Sequence, residues 1–277
     1  MDTDLLKTFL EINRTRHFGK AAENLFISQS AVSARIKLLE EQLGVPLFSR
    51  NRNDLQLTPA GKRFLKPAQG ILDVWSRVRQ EVAVEDDGKI PISVGAMSSL
   101  WDTILIRWLS VVYEQVKDVT LNVEAHGLDV LRLKLLDKSL DLAFMFEAPQ
   151  AVDLEVEEIA KIPLCLVSSD ASASLAQAIK ENYILVDWGT SFSICHARLI
   201  PESVPMMRAG VGRIALEYLV ENGGSAYLAR PMVEKYVEDG QLHFVSNAPV
   251  IERTAYAVFS AHSEKRELLK RCLDIGF

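Results

Sequence analysis

The chain is short of cysteine. Cys165, Cys195 and Cys272 are its only three in 277 residues, too few and too scattered for a disulfide framework. No run of eighteen apolar residues occurs, so no membrane-spanning helix is expected. The start, MDTDLLKTFLEINRTRHFGK, lacks an uninterrupted apolar stretch and does not read as a secretory signal. His17, His126, His196, His243 and His262 have no metal-ligand spacing, so neither a metal nor a cofactor is expected. Cys195 and His196 are sequence neighbours, which does not set a thiol productively against an imidazole. The stretch Gly210-Val211-Gly212-Arg213-Ile214-Ala215 imitates a dinucleotide fingerprint. It opens no first βαβ unit, and no acidic residue ends the next strand. These absences point away from an enzyme and toward a cytoplasmic protein.

The length suggests about two domains. Hydrophobic residues make up 48% and charged residues 25%, enough for real cores in a folded chain. The net charge of −6 hides an asymmetry. Residues 1–66 hold 11 Lys and Arg against 7 Asp and Glu, whereas the remainder holds 20 against 30. A basic N-terminal quarter in an acidic chain keeps nucleic acid among the candidate partners.

Leu5, Leu6, Phe9, Leu10 and Ile12 predict a first helix, capped by Asp2 or Thr3. Residues 18–25 read as a short second helix, whose paired alanines allow close approach. Ser28 caps a third, in which Val32, Ile36, Leu39 and Leu43 form one buried stripe, and Gly44 ends it. Two helices across a tight turn, the second with a polar outer face, make a helix-turn-helix pattern. Leu47-Phe48 and Leu55-Gln56-Leu57 are short strand candidates around a basic turn, Ser49 to Asp54, which reads as a wing. Thr58-Pro59 starts a long helix over about 60–84. Its apolar positions, Phe64/Leu65, Ala68, Ile71/Leu72, Trp75, Val78 and Val82, suit a dimer seam or a helix packed on its own domain; the seam is the preferred reading. Pro67 should kink its first turns or mark a late start. Beyond a polar linker near residues 85–89, strand-like segments alternate with helical ones. That pattern predicts two α/β lobes with parallel strands.

From Ala21 to Gly61 the sequence AAENLFISQSAVSARIKLLEEQLGVPLFSRNRNDLQLTPAG resembles the N-terminal signature of LysR-type transcriptional regulators. The pattern AA-x-x-L…SQ-x-x-x-S-x-x-I-x-x-LE-x-x-LG-x-x-LF-x-R…LT-x-AG is present almost unbroken across three helices and a wing. The His17-Phe18 start and the RNRN wing are similar to the HdfR-like branch. The resemblance implies a winged helix-turn-helix, a linker helix and a two-lobed, periplasmic-binding-protein-like effector domain. It also implies double-stranded DNA, a second copy of the chain (as homodimer or homotetramer) and a small-molecule effector as partners, with RNA polymerase a further candidate. Many members carry a cation at the position of Ala34 and an amide at that of Arg35; here the order differs. The division expected is 1–59 for DNA binding, 60–89 for the linker helix and hinge, and 90–277 for the effector domain. Within the last, lobe I takes about 90–161 plus 261–277, and lobe II about 162–260.

At 100° per residue, Ser30, Ser33, Ala34 and Lys37 lie about 100–200° around from Val32, away from the buried stripe. Gln29 sits in the first turn. An amide can pair with adenine and hydroxyls with either partner, while cations reach phosphates. The expected DNA-binding residues are therefore Gln29, Ser30, Ser33, Arg35, Lys37 and Thr58, with Arg50 and Arg52 of the wing entering a minor groove. Parallel strands place ligands beyond their carboxyl ends. That edge collects Ser98, Ser99, Gly127, Phe146 and Glu147, with Thr190 and Ser191 facing them from the other lobe. These seven are the expected effector-binding residues. The alternatives kept open are a ligand-free scaffold in the C-terminal region, or an α/β ligand-binding or enzymatic protein. Cys165 and Cys195 could form a redox pair, as in some members of the family the chain resembles; the strand context of Cys165 favours a structural thiol.

Overall fold

The computed structural model describes residues 2–51, 54–83, 88–149 and 151–277. The chain divides into two compact units, Met1–Asp87 and Gly88–Phe277.

In the first unit, α1 (Thr3–Thr15) begins at Asp2, whose carboxylate accepts the Asp4 N–H at 2.9 Å. α2 (Phe18–Asn24) is capped by His17, whose Nδ1 accepts the Lys20 N–H at 3.1 Å. α3 (Gln29–Leu43) starts where Ser28 Oγ accepts from Ala31 N at 3.1 Å, and stops at Gly44 in the left-handed region, φ 70°. Each helix thus starts where a side chain satisfies an otherwise orphaned N–H. Leu5, Leu6, Phe9 and Ile12 meet Ala21, Ala22, Val32, Ile36 and Leu39 in one core. Leu43, expected in the buried stripe, is instead 39% exposed, because the last turn of α3 extends past that core.

β1 (Phe48–Asn51) and β2 (Asp54–Leu57) pair antiparallel, so strand structure reaches further toward the tip than the sequence pattern implied. The tip residue Arg52 lies outside the described residues. α4 (Pro59–Ala83) runs through Pro67 as one helix from its expected start, so Pro67 does not mark a late beginning. Its first half packs inward through Phe64, Leu65, Ala68 and Leu72, with the Phe64 ring 5.3 Å from Phe9. Its second half leaves Ile71, Val74, Trp75, Val78 and Val82 exposed.

Gly61 sits where α4 crosses the wing. A Cβ there would run into the Leu47 carbonyl oxygen, a backbone atom that cannot swing away. Gly61→Ala is expected to destabilise the first unit by about 1–3 kcal/mol through overpacking. A loss below about 0.5 kcal/mol in chemical denaturation would contradict this contact.

The second unit contains, in order, β3 (Ile90–Ala96), α5 (Ser98–Leu100), a π-helical turn (Trp101–Leu105), α6 (Ile106–Gln115), β4 (Val119–Ala125), α7 (Leu128–Leu136) and β5 (Leu142–Met145). Then come β6 (Leu154–Ser168), α8 (Leu175–Ala178), β7 (Tyr183–Val186), α9 (Thr190–Leu199), β8 (Pro205–Ala209) and α10 (Gly212–Asn222). β9 (Ser225–Ala229), α11 (Arg230–Glu238), β10 (His243–Phe244), β11 (Ile251–Ser260) and α12 (Arg266–Leu273) complete it. The strands run β4-β3-β5-β11-β6-β9-β7-β8, with β10 beside β6. β3, β4 and β5 are mutually parallel, as are β7, β8 and β9. The long antiparallel pair β6 and β11 joins these two groups.

The pair bulges between Ala255 and Tyr256, where β11 passes from one lobe to the other. A bulge bends a strand and raises its twist. Tyr256–Phe259 already pair with β5, so the return to the first lobe falls inside β11 and not at 261. The first lobe is anchored by Trp108, whose Nε1 donates to the Cys272 carbonyl at 2.9 Å and whose ring meets Phe144 at 5.0 Å. This ties α12 back across the sheet.

Candidate nucleic-acid and effector sites

On α3 the buried and exposed faces separate as the period requires. Val32, Ile36 and Leu39 are buried, whereas Gln29, Ser30 and Lys37 are exposed and Ser33 is half-buried. Ser30 Oγ shares a 2.9 Å hydrogen bond with the capping Ser28 Oγ, so it helps the cap while remaining on the surface. Among the described residues Lys37 has only a loose 3.7 Å contact with Glu41. The other cation of this helix differs. Arg35 Nη2 donates to Asp4 Oδ2 at 3.1 Å, so its guanidinium clamps α3 to α1. The same carboxyl accepts from Lys7, and that bond, with Arg35 behind it, holds the Asp4 pKa below its ordinary value.

Thr58 Oγ1 donates to the Pro46 carbonyl at 2.7 Å and accepts from Gly61 N at 3.0 Å. Its one proton is therefore spent inside the protein, bracing the wing against α4. Glu40 has a structural task. Its Oε1 accepts from Leu47 N at 2.6 Å and Phe48 N at 3.2 Å, satisfying the backbone that enters β1. No sequence pattern singles out that role, because the partners lie seven and eight residues away across a turn. Arg50 lies on β1 opposite Leu55.

In the second unit, Ser98, Gly127 and Phe146-Glu147 follow β3, β4 and β5 in turn, on one edge of the parallel group. Ser98 is exposed and opens α5; Ser99 is buried, its carbonyl accepting from Thr103 Oγ1 at 2.9 Å. Gly127 forms the N-terminal boundary of α7. Only part of the expected set converges with the other lobe. Phe146 is buried against Trp188, centroids 6.5 Å apart. Glu147 Oε1 accepts from Arg253 Nη2 at 2.8 Å, and the Arg253 guanidinium lies 4.9 Å over the Phe146 ring. Gly189, at φ 88°, brings the start of α9 against this pair. A Cβ there would lie 2.8 Å from Glu147 Oε1 and 3.1 Å from Arg253 Nη2. Thr190 and Ser191 are exposed in the first turn of α9, which has no side-chain cap. Burial raises the Asp102 pKa, and the charge of Arg213 on α10 opposes that rise.

Arg253 and Trp188 escaped the sequence reading. A signal for Arg253 was present, since Ile251, Arg253, Ala255 and Ala257 alternate along β11 and all are buried. An arginine in an inward-facing register is anomalous and worth singling out. Gly212, of the false dinucleotide fingerprint, is a packing glycine: a Cβ there would meet the Trp188 ring at 2.8 Å. Cys165 and Cys272 are buried, and burial pushes both thiol pKa values up. His196 is buried and shares a 2.7 Å hydrogen bond with the Tyr183 hydroxyl; burial lowers its pKa. Among the described residues no helix is long and apolar enough to cross a membrane.

A winged helix-turn-helix with an exposed polar recognition face, on a chain that also carries a two-lobed α/β unit with a charged interlobe cluster, defines a DNA-binding regulator class. Residues 3–62 match the family described as "Bacterial regulatory helix-turn-helix protein, lysR family", and residues 88–275 match the "LysR substrate binding domain". The chain belongs to the LysR family of transcriptional regulators, with a DNA-binding helix-turn-helix and an effector-binding domain. It is 36% identical to the HTH-type transcriptional regulator HdfR of Yersinia pestis, over 99% of this chain and 95% of the relative, which supports the HdfR-like branch. The HdfR of Yersinia pseudotuberculosis matches equally. The fold is shared with full-length CbnR complexed with its target DNA, at TM-score 0.74 and 18% identity over 100% of this chain and 99% of that one. Vibrio fischeri DarR in complex with DNA is a second such structure, at TM-score 0.62 and 18% identity over 99% of each chain.

Proposed function

We propose that α3 reads a specific DNA site from the major groove through Gln29, Ser30 and Ser33. Lys37 and the wing cations Arg50 and Arg52 hold the flanking phosphates and minor groove. The observation that carries this reading is the polar, exposed first turn and outer face of α3, opposite the buried stripe of Val32 and Ile36. Small side chains let a recognition helix sit deep, and its N-terminal end reaches base edges. Arg35 and Thr58 act behind this face, as the clamp on α1 and the brace on α4.

The exposed apolar strip on the second half of α4 is the proposed seam with a second copy of the chain. A groove of about 600 Å³ between α1 and α4, with Leu10, Leu25, Leu65 and Leu72 among its lining residues, offers that copy further apolar surface. Two-fold pairing implies a pseudo-palindromic site with half-sites about one helical turn apart. The proposed effector cleft lies between the lobes at Phe146, Glu147 and the start of α9, with Ser98, Ser99 and Gly127 on its first-lobe edge. We assign no catalytic step and place the protein in the cytoplasm with its DNA.

The test is gel retardation with the intergenic DNA beside the protein's own gene. Replacing both Gln29 and Ser33 by alanine should weaken specific binding by about 10- to 100-fold, since a good base contact is worth about 1–3 kcal/mol. Binding to unrelated DNA should stay unchanged. Equal specific affinity in the double variant would overturn the reading of α3.

A further inference from the structure

The interlobe cluster is short of partners on both of its charges. Arg253 is 4% exposed, yet its Nε has no hydrogen-bond partner among the described residues. A guanidinium presents five N–H donors in a fixed fork, and a buried donor left unpaired is costly. Here Nη2 alone bonds Glu147, and the flat face rests on Phe146. Glu147 accepts that bond through Oε1; its Oε2 accepts no hydrogen bond from the described residues. The third element is the start of α9, a ten-residue helix with no side-chain cap on its first-turn N–H groups. Gly189 puts that turn directly against the ion pair. An ion pair with a buried, unsatisfied donor and a carboxylate oxygen to spare therefore lies against an uncapped helix N-terminus, which meets it at Glu147 Oε1 and Arg253 Nη2.

We propose that this cluster recognises an α-amino acid as a zwitterion. The ligand carboxylate bonds Arg253 Nε and the first-turn N–H groups of α9, and its ammonium bonds Glu147 Oε2. This rests on the cleft reading above and specifies its ligand. Charge conservation selects the class. The Glu147–Arg253 pair is neutral as it stands. A simple carboxylate would leave the site net negative and an amine would leave it net positive, and an unpaired charge in a largely desolvated site is heavily penalised. A zwitterion keeps the site neutral and fills both vacant edges. Helix N-termini favour the carboxylate end, which fixes the ligand's orientation. Even a methyl group at Gly189 would meet both charged side chains, so the lobes part to admit the ligand and reclose on its charged head.

The experiment uses the full-length protein and the standard α-amino acids, screened one at a time by thermal shift and then by calorimetry. At least one should stabilise the protein saturably. Its decarboxylated amine and its deaminated acid should each bind at least tenfold more weakly. Glu147→Gln, nearly isosteric, should weaken binding at least tenfold while keeping a cooperative melt, and Gly189→Ala should do the same by setting a methyl group against both charged side chains. A deaminated acid that binds as tightly as its parent overturns the proposal, as does undiminished affinity in Glu147→Gln. The comparison of the amino acid with its two counterparts needs no variant, so a misfolded variant cannot mask the answer. Simple carboxylates, amines and sugars are run alongside. If one of these binds, is excluded by Gly189→Ala, and no α-amino acid binds, the zwitterion assignment fails while the cleft reading stands. If nothing binds, both fail.

Discussion

The affinity for its operator is expected to collapse with salt. If each protomer neutralises four or five phosphates, a dimer releases about eight to ten counterions. Log affinity then falls with log salt at a slope of about −7 to −9, roughly a 10⁴- to 10⁵-fold loss between 50 and 200 mM. Residues 1–66 carry the excess of basic over acidic side chains that this requires, although the whole chain is acidic. The structure sorts these cations. Lys37 is exposed with one loose contact, whereas Arg35 is held by Asp4. Lys37→Ala should therefore reduce the slope by about 1 for each protomer, whereas Arg35→Ala should leave it nearly unchanged and act on stability. A titration series with flat affinity would remove the phosphate-binding account altogether.

Trp188→Ala should destabilise the second unit by about 3–5 kcal/mol. The indole is 1% exposed and lies between Phe146 on one lobe and Gly212 on the other. Its Nε1 donates to the Tyr227 carbonyl at 2.9 Å, so truncation also orphans a buried acceptor. Trp188→Phe keeps most of the apolar volume and should lose less than half as much. Chemical denaturation of the full-length variants provides the comparison. A Trp188→Ala loss near 1 kcal/mol would mean that the site collapses freely and that Trp188 does not organise the cleft floor. The residue matters beyond stability because it supports the Phe146 ring on which Arg253 rests.

The first unit was largely legible in the sequence, for a local reason. Its helices are set by caps and periods that operate within four residues: Asp2, Ser28 and Gly44 fall where expected, and Val32, Ile36 and Leu39 are buried as the spacing requires. The long helix 59–83 was likewise readable, and packing on its own unit holds for its first half. Its first half serves its own unit, and its second half is left uncovered. Leu43 was misjudged because a helical stripe says which face is inward, not how far the neighbouring core extends. Arg35 and Thr58 look like solvent-facing polar residues at that level. Their partners, Asp4 and Pro46, are brought to them only by chain reversal.

The alternating α/β rhythm of the second unit was visible, since parallel strands and their crossover helices repeat over short stretches. The site was not, because its members come from three distant segments. Phe146 and Glu147 follow one strand, Gly189 precedes a helix, and Arg253 arrives on a strand about a hundred residues later than Glu147. The sequence by itself determined the class of DNA reader, the polar face of α3 and the strand edge that gathers Ser98, Gly127 and Glu147, because each follows from periodicity and capping within one element. Which cations remain free, where β11 changes lobes and which charges close the cleft were decided by tertiary structure alone, because burial and electrostatic pairing depend on distances in space that no local pattern encodes.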